Sequence, residues 1–231
     1  MSAKKKNRLA IAVTVILILL IGILGLLKIP GLWTEISFYW YDHTETELKV
    51  KAYAEEKGIF YCEYPQSLIE LLERNPETEE FVLNYPFREK EAVEVFSWDQ
   101  SQGVPLLMQW DTRWGYQKYG SDVVGITGCG PLCLAMAGYY VTGDETTFNP
   151  ANMVDFAARN GYYSAVNGSS WTLISEGSKE LGLTATELPL VKKKMVDALE
   201  AGNPVILALG KGDFTTTGHY IVLTGVEEEG F

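Results

Sequence analysis

The order of its predicted elements, helices first and strands last, makes this chain an α+β protein. Three observations carry that reading. Positions 132–141 form an uncharged, mostly apolar run with Pro131 before it and Thr142-Gly143 after it, the punctuation of a buried helix. Two apolar runs near the end, 204–209 and 219–224, have the length and composition of buried strands. The remaining length is mostly helix patterns stopped at glycine, with no internal repeat and no low-complexity tract. An antiparallel sheet packed on the 132–141 helix buries both kinds of apolar surface.

In chain order, Lys4, Lys5, Lys6 and Arg8 precede nineteen residues without a charge, 9–27. That is close to the roughly 20 residues needed to cross a bilayer. The run ends without a small-residue cleavage site, which disfavours a cleaved secretory signal. These features predict a cytoplasmic basic tail over 1–8, a transmembrane signal-anchor over 9–27, and an extracellular location for everything after Lys28. Trp33, Tyr39, Trp40 and Tyr41 are placed at the outer interface.

Positions 28–103 read as an extracellular helical stalk or subdomain. Glu45 to Lys57 forms one helix stopped by Gly58, Tyr64-Pro65-Gln66-Ser67 opens a second with Leu68, Leu71 and Leu72 on one face, and Asn75-Pro76 breaks it ahead of a third over 79–85. His43 is an ordinary exposed histidine on this reading. Ser101-Gln102-Gly103 marks a boundary, and 104–231 is a separate domain. Within it Asn149-Pro150 caps a helix ending at Asn160-Gly161. Gly168-Ser169-Ser170-Trp171 opens another that ends near Gly182, 183–188 is a short strand, and 191–201 is a helix stopped by Gly202. The sequon at Asn167 is taken as a turn.

Formal net charge is −11, and the stretch beyond the basic tail is more acidic still, with fifteen basic against thirty acidic residues. Nucleic acid and anionic membrane surfaces are disfavoured as partners. Cys62, Cys129 and Cys133 are too few for a disulfide scaffold and lack zinc spacing. The two nearer ones stand one helical turn apart with roughly parallel side chains, which disfavours a bridge. No phosphate loop, metal cluster or dinucleotide fingerprint is present, so no cofactor and no metal is expected. Oligomeric state is not set by the sequence.

The chemistry is concentrated in two places. Cys129 lies between Gly128 and Gly130 at the start of the apolar helix, where unpaired N–H groups and the positive end of the helix dipole favour thiolate. Glycine on either side leaves room for an approaching substrate. A small packing cysteine in a glycine-rich turn is the other reading of the same residues. His219 is the only histidine beyond the stalk and heads an apolar strand. Alone it reads equally as a structural histidine at a strand end, but paired with Cys129 it supplies what a thiolate–imidazolium couple needs.

Four blocks in order, Gln109-Trp-Asp-Thr-Arg-Trp-Gly115, Gly128-Cys129-Gly130-Pro131, Gly168-Ser-Ser-Trp171 and Asp213-Phe-Thr-Thr-Thr-Gly-His219, resemble the bacterial papain-like cysteine peptidases of the "C-thirty-nine-like" group, relatives of the bacteriocin double-glycine leader peptidases. The segments Tyr64-Pro-Gln-Ser-Leu and Glu79 to Pro86 are similar to the region that precedes the domain in membrane-tethered members. The resemblance implies a papain-like fold, a thiol peptidase activity, and three catalytic residues. Cys129 would be the nucleophile, and His219 would hold the thiolate and protonate the leaving amine. Gln109 would complete an oxyanion hole begun by the Cys129 N–H. In papain relatives that glutamine stands much nearer the cysteine, where this chain has Val123, so a structural role for Gln109 stays open.

The family also places an acid after the histidine, in an Asp-Pro pair on the next strand. Here only Glu227, Glu228 and Glu229 follow, at about 20 Å or more along an extended strand. Phe231 reads as the first residue of a returning strand, so the chain is expected to be a C-terminally truncated form that lacks the orienting acid and leaves a sheet edge bare. Loss of the corresponding aspartate in a serine triad lowers the rate about 10⁴-fold. The leading expectation is a membrane-anchored extracellular thiol hydrolase acting on a peptide or cell-wall peptide. The alternatives are a surface binding module that keeps the fold without turnover, and a cell-wall amidase or transglutaminase-like acyltransferase.

Overall fold

The computed structural model describes residues 3–26, 31–88, 97–164, 168–212, 215, 218–227 and 230. Lys28, Asn167, Asp213, Phe214, Thr216, Thr217, Glu228, Glu229 and Phe231 lie outside them. The chain divides into two compact units, Met1–Ile69 and Glu70–Phe231.

The first unit holds α1 (Ala3–Leu26), α2 (Leu32–Phe38), α3 (Glu45–Lys57) and the start of α4 (Gln66–Arg74). Among the described residues no helix is long and apolar enough to cross a membrane. The transmembrane segment that the sequence predicted over 9–27 is therefore corrected. With it go the single-pass anchor and the localisation that depended on it.

Helix α3 begins in a full capping box: the Thr44 hydroxyl accepts from the Glu47 N–H, and the Glu47 carboxylate accepts from the Thr44 N–H. His43 is not an ordinary exposed residue. Its ring stacks on Phe38 with centroids 3.6 Å apart, Nδ1 lies 3.0 Å from the Glu47 carboxylate, and Nε2 meets the Phe38 carbonyl. The Phe38 carbonyl foremost, then Glu47 and Asp42, raise the imidazole above its ordinary value against the opposing effect of burial. Lys51, largely buried, pairs with Glu35, which also accepts from the Tyr61 N–H.

The second unit takes in the rest of α4 and α5 (Glu79–Asn84), then 97–230. Phe81 of α5 stacks on Tyr116 at 4.4 Å, the Tyr116 hydroxyl donates to the Phe81 carbonyl at 2.8 Å, and Gly115 and Gly125 leave the space its ring occupies. Short hairpin strands β1 (Lys118–Tyr119) and β2 (Asp122–Val123) lead into a single helical turn, α6 (Val124–Thr127), and then α7 (Cys129–Thr142).

Helix α7 is the spine of this unit. It is buried from Gly130 to Ala135 and again over 137–139, then emerges at Val141 and stops at Gly143, whose φ of 73° is the left-handed cap. Helix α8 (Pro150–Arg159) packs on it, opened by the Asn149 side chain accepting from the Ala151 N–H. Strands β3 (Tyr163–Ser164) and β4 (Gly168–Ser169) pair antiparallel. A short helix follows, π-wound over Leu173–Gly177 and closing as α9 (Ser178–Glu180). Segment 183–188, expected as a strand, is irregular. Helix α10 (Lys192–Glu200) precedes β5 (Val205–Leu209) and β6 (His219–Leu223), an antiparallel pair with Leu209 opposite His219 and Val205 opposite Leu223. Strand β6 lies on α7. The two strands are half-buried rather than fully buried. Leu132, Leu134, Tyr139, Phe148, Met153 and Leu173 sit in the core, which gathers around α7 and α8.

Candidate active site

The Gln109-to-Gly115 block folds as a tight self-bonded turn. The Trp114 indole N–H donates to the Met108 carbonyl at 2.9 Å, Arg113 pairs with Asp111 and stacks on Trp114, and the Gly115 N–H returns to the Asp111 carbonyl at 2.6 Å. This turn holds the 104–110 segment against α7 and β6, and the three enclose a cleft of about 420 Å³. Gln109, Cys129 and His219 all line it, so the structure brings the three sequence-selected residues to one cavity.

Cys129 is partly exposed there, at the first residue of α7. Its neighbouring glycines are explained by packing instead of substrate access. A Cβ at Gly130 would stand 2.5 Å from the Ser169 Cβ, and one at Gly128 would stand 2.5 Å from a Val124 methyl and 2.7 Å from the Val124 carbonyl. Burial pushes the Cys129 thiol up, and the N–H groups of Tyr220, Gly130 and Cys129 itself, which favour thiolate, offset this only in part. Burial likewise pushes the His219 imidazole below its ordinary value, and no carboxylate among the described residues counters it. Burial thus acts against the charged form of both groups.

Gln109 donates its side-chain N–H to the Val124 carbonyl at 3.1 Å, a bond that ties it to the turn ahead of Gly128. One N–H of the amide is thus used structurally, and the second is left for other partners. Cys133 and Met136 line the same cleft one and two turns further along α7. Cys133 is 3% exposed and its thiol is pushed well up by burial. No cysteine is bridged. Among the described residues no cluster of His, Cys, Asp or Glu could hold a metal ion.

The family model described as "Peptidase_C39 like family" matches residues 101–231, more than half of the chain. The chain belongs to this family. No curated protein and no solved structure matches it. In this member of the C-thirty-nine-like peptidases, the cysteine-headed helix with an antiparallel pair laid on it fits a papain-like fold. Membership makes the 101–231 segment a cysteine-peptidase-like domain.

The residue that sequence reasoning missed is Tyr220. Its N–H faces the Cys129 sulfur, and nothing in its local pattern distinguishes it from the apolar residues that follow. Only the register of β6 on α7 reveals it.

Proposed function

We propose that the 104–231 domain is a thiol peptidase in which Cys129 is the nucleophile, His219 the proton carrier and Gln109 with the Cys129 N–H the oxyanion donors. The observation that supports it is the shared cleft, whose lining includes Cys129, His219 and Gln109. His219 takes the thiol proton as the sulfur attacks the peptide carbonyl carbon, so it acts as a general base. The carbonyl π electrons move to oxygen, and the oxyanion is held by the Cys129 N–H and the free N–H of Gln109. The tetrahedral adduct collapses with cleavage of the C–N bond, and His219 returns its proton to the departing amine. Water, deprotonated by His219, then splits the thioester and restores the thiol. The substrate is a peptide or cell-wall peptide.

A second reading, a module that binds peptide without turning it over, is favoured by the burial that raises the Cys129 thiol and lowers the His219 imidazole, an effect no carboxylate among the described residues counters at His219. A panel of peptides and peptidoglycan fragments separates the two. Hydrolysis lost in Cys129→Ala and lowered about 10²-fold or more in His219→Ala supports the peptidase. Binding that survives Cys129→Ala, with no product from the unaltered chain, supports the binding module.

A further inference from the structure

The Gly168-Ser-Ser-Trp171 block takes no part in the chemistry above, yet one of its residues touches both α7 and β6. Ser169, in β4, is 5% exposed. Its side chain occupies the space that the missing Cβ of Gly130 leaves open, directly beside Cys129. Its hydroxyl lies 3.0 Å from the hydroxyl of Tyr119, a side chain with no exposed surface. Tyr119 is itself tied to the approach of α7, since its carbonyl accepts from the Thr127 hydroxyl at 2.8 Å. The Ser169 carbonyl accepts from the Tyr220 hydroxyl at 3.3 Å. Tyr220 is the residue after His219, and its backbone N–H faces the sulfur.

We infer that Ser169 is a positioning residue that registers the head of β6 against the start of α7, and so fixes where His219 and the Tyr220 N–H stand relative to the Cys129 sulfur. This rests on the peptidase reading of Cys129 and His219. The tie has two ends. The hydroxyl holds Tyr119 and, through Thr127, the turn before Cys129. The carbonyl holds Tyr220 and, through its backbone, the donor at the sulfur. Packing on Gly130 stops the helix start from sliding between them. A hydroxyl elsewhere on the surface of β4 would make none of these contacts.

The test is the pH profile of iodoacetamide alkylation at Cys129, read site by site by mass spectrometry on the full chain. It is run for the unaltered protein, Ser169→Ala, Tyr220→Phe and His219→Ala, each checked for folding by thermal melting. Ser169→Ala removes the bond to Tyr119, and Tyr220→Phe removes the bond to the Ser169 carbonyl. Each is expected to slow alkylation near neutral pH about fivefold and to move the profile to higher pH, because a hydrogen bond that sets the donor geometry is lost. Should Ser169→Ala fail to fold, Tyr220→Phe, which deletes only a half-buried hydroxyl, reads the same tie. Profiles superimposable on the unaltered protein in both variants, with His219→Ala still shifted, overturn the positioning role alone. A profile unmoved in His219→Ala as well overturns the peptidase reading beneath it.

Discussion

At Cys129 two effects act on one sulfur in opposite directions. Three backbone N–H groups favour thiolate, burial favours thiol, and burial prevails. Alkylation of Cys129 across a pH series should therefore show a midpoint above about 8.5, the ordinary thiol value. A midpoint below that would mean that the ion pair forms in the resting protein. Cys133 should label only after denaturation, since it is buried and its thiol is raised further. The glycines beside Cys129 make a separate prediction. Gly130→Ala forces a methyl onto Ser169 and should lower stability by about 1–3 kcal/mol in urea denaturation, as overpacked sites do. The positions of Cys129 and His219 were legible because each carries a local signal, a glycine-flanked helix start and a histidine heading an apolar run. The reason for the glycines was not legible. It lies in Ser169 and Val124, and only the folded chain places Ser169 against the helix start.

Helices were the most readable elements because their ends are written in side chains. Helix α3 has the bounds its sequence implies, α7 stops at Gly143, and α8 opens under the Asn149 cap. The Thr44 box can be tested directly: Thr44→Ala should cost about 1 kcal/mol, measured as a loss of denaturant stability, because it strands the Glu47 N–H at the start of α3. Strands were less readable. Pairs β1–β2 and β3–β4 are two residues long on each side, too short for any alternation to show. Segment 183–188 carries strand-forming residues but finds no pairing partner among the described residues. The hairpin β5–β6 was legible, yet its register, which sets Leu209 opposite His219 and brings Tyr220 to the sulfur, depends on packing against α7. That is a tertiary choice that no window of sequence contains.

Over the whole molecule, the order of helices then strands gives way in the second unit to strands β1 to β4 interleaved with the helices, with only the β5–β6 pair coming last, and the membrane-spanning role expected of the N-terminal run is not found. The chain's two histidines fall one in each unit, and their shifts have opposite signs. His43 is raised in the folded state, so its contribution is present below the unfolded value near 6.5 and fades as pH rises through its folded value. His219 is lowered, so the unfolded chain binds its proton first and the second unit loses stability as pH falls below about 6.5. Hydrogen exchange at pH 5.5 and 8, corrected for intrinsic rates, should show protection over 44–57 greater at the lower pH and protection over 205–223 greater at the higher pH. Parallel changes in both stretches would mean that groups other than these histidines govern the response.

The most direct test of the central claim is to acid-quench the full chain during reaction with an activated peptide ester, which reacts even where amide turnover is slow, and to map the acyl group by mass spectrometry. The account predicts a thioester on Cys129 that forms in the unaltered protein and is strongly reduced in His219→Ala. An acyl group spread over Cys62 and Cys129 alike, or formed on Cys129 at the same rate without His219, would contradict it.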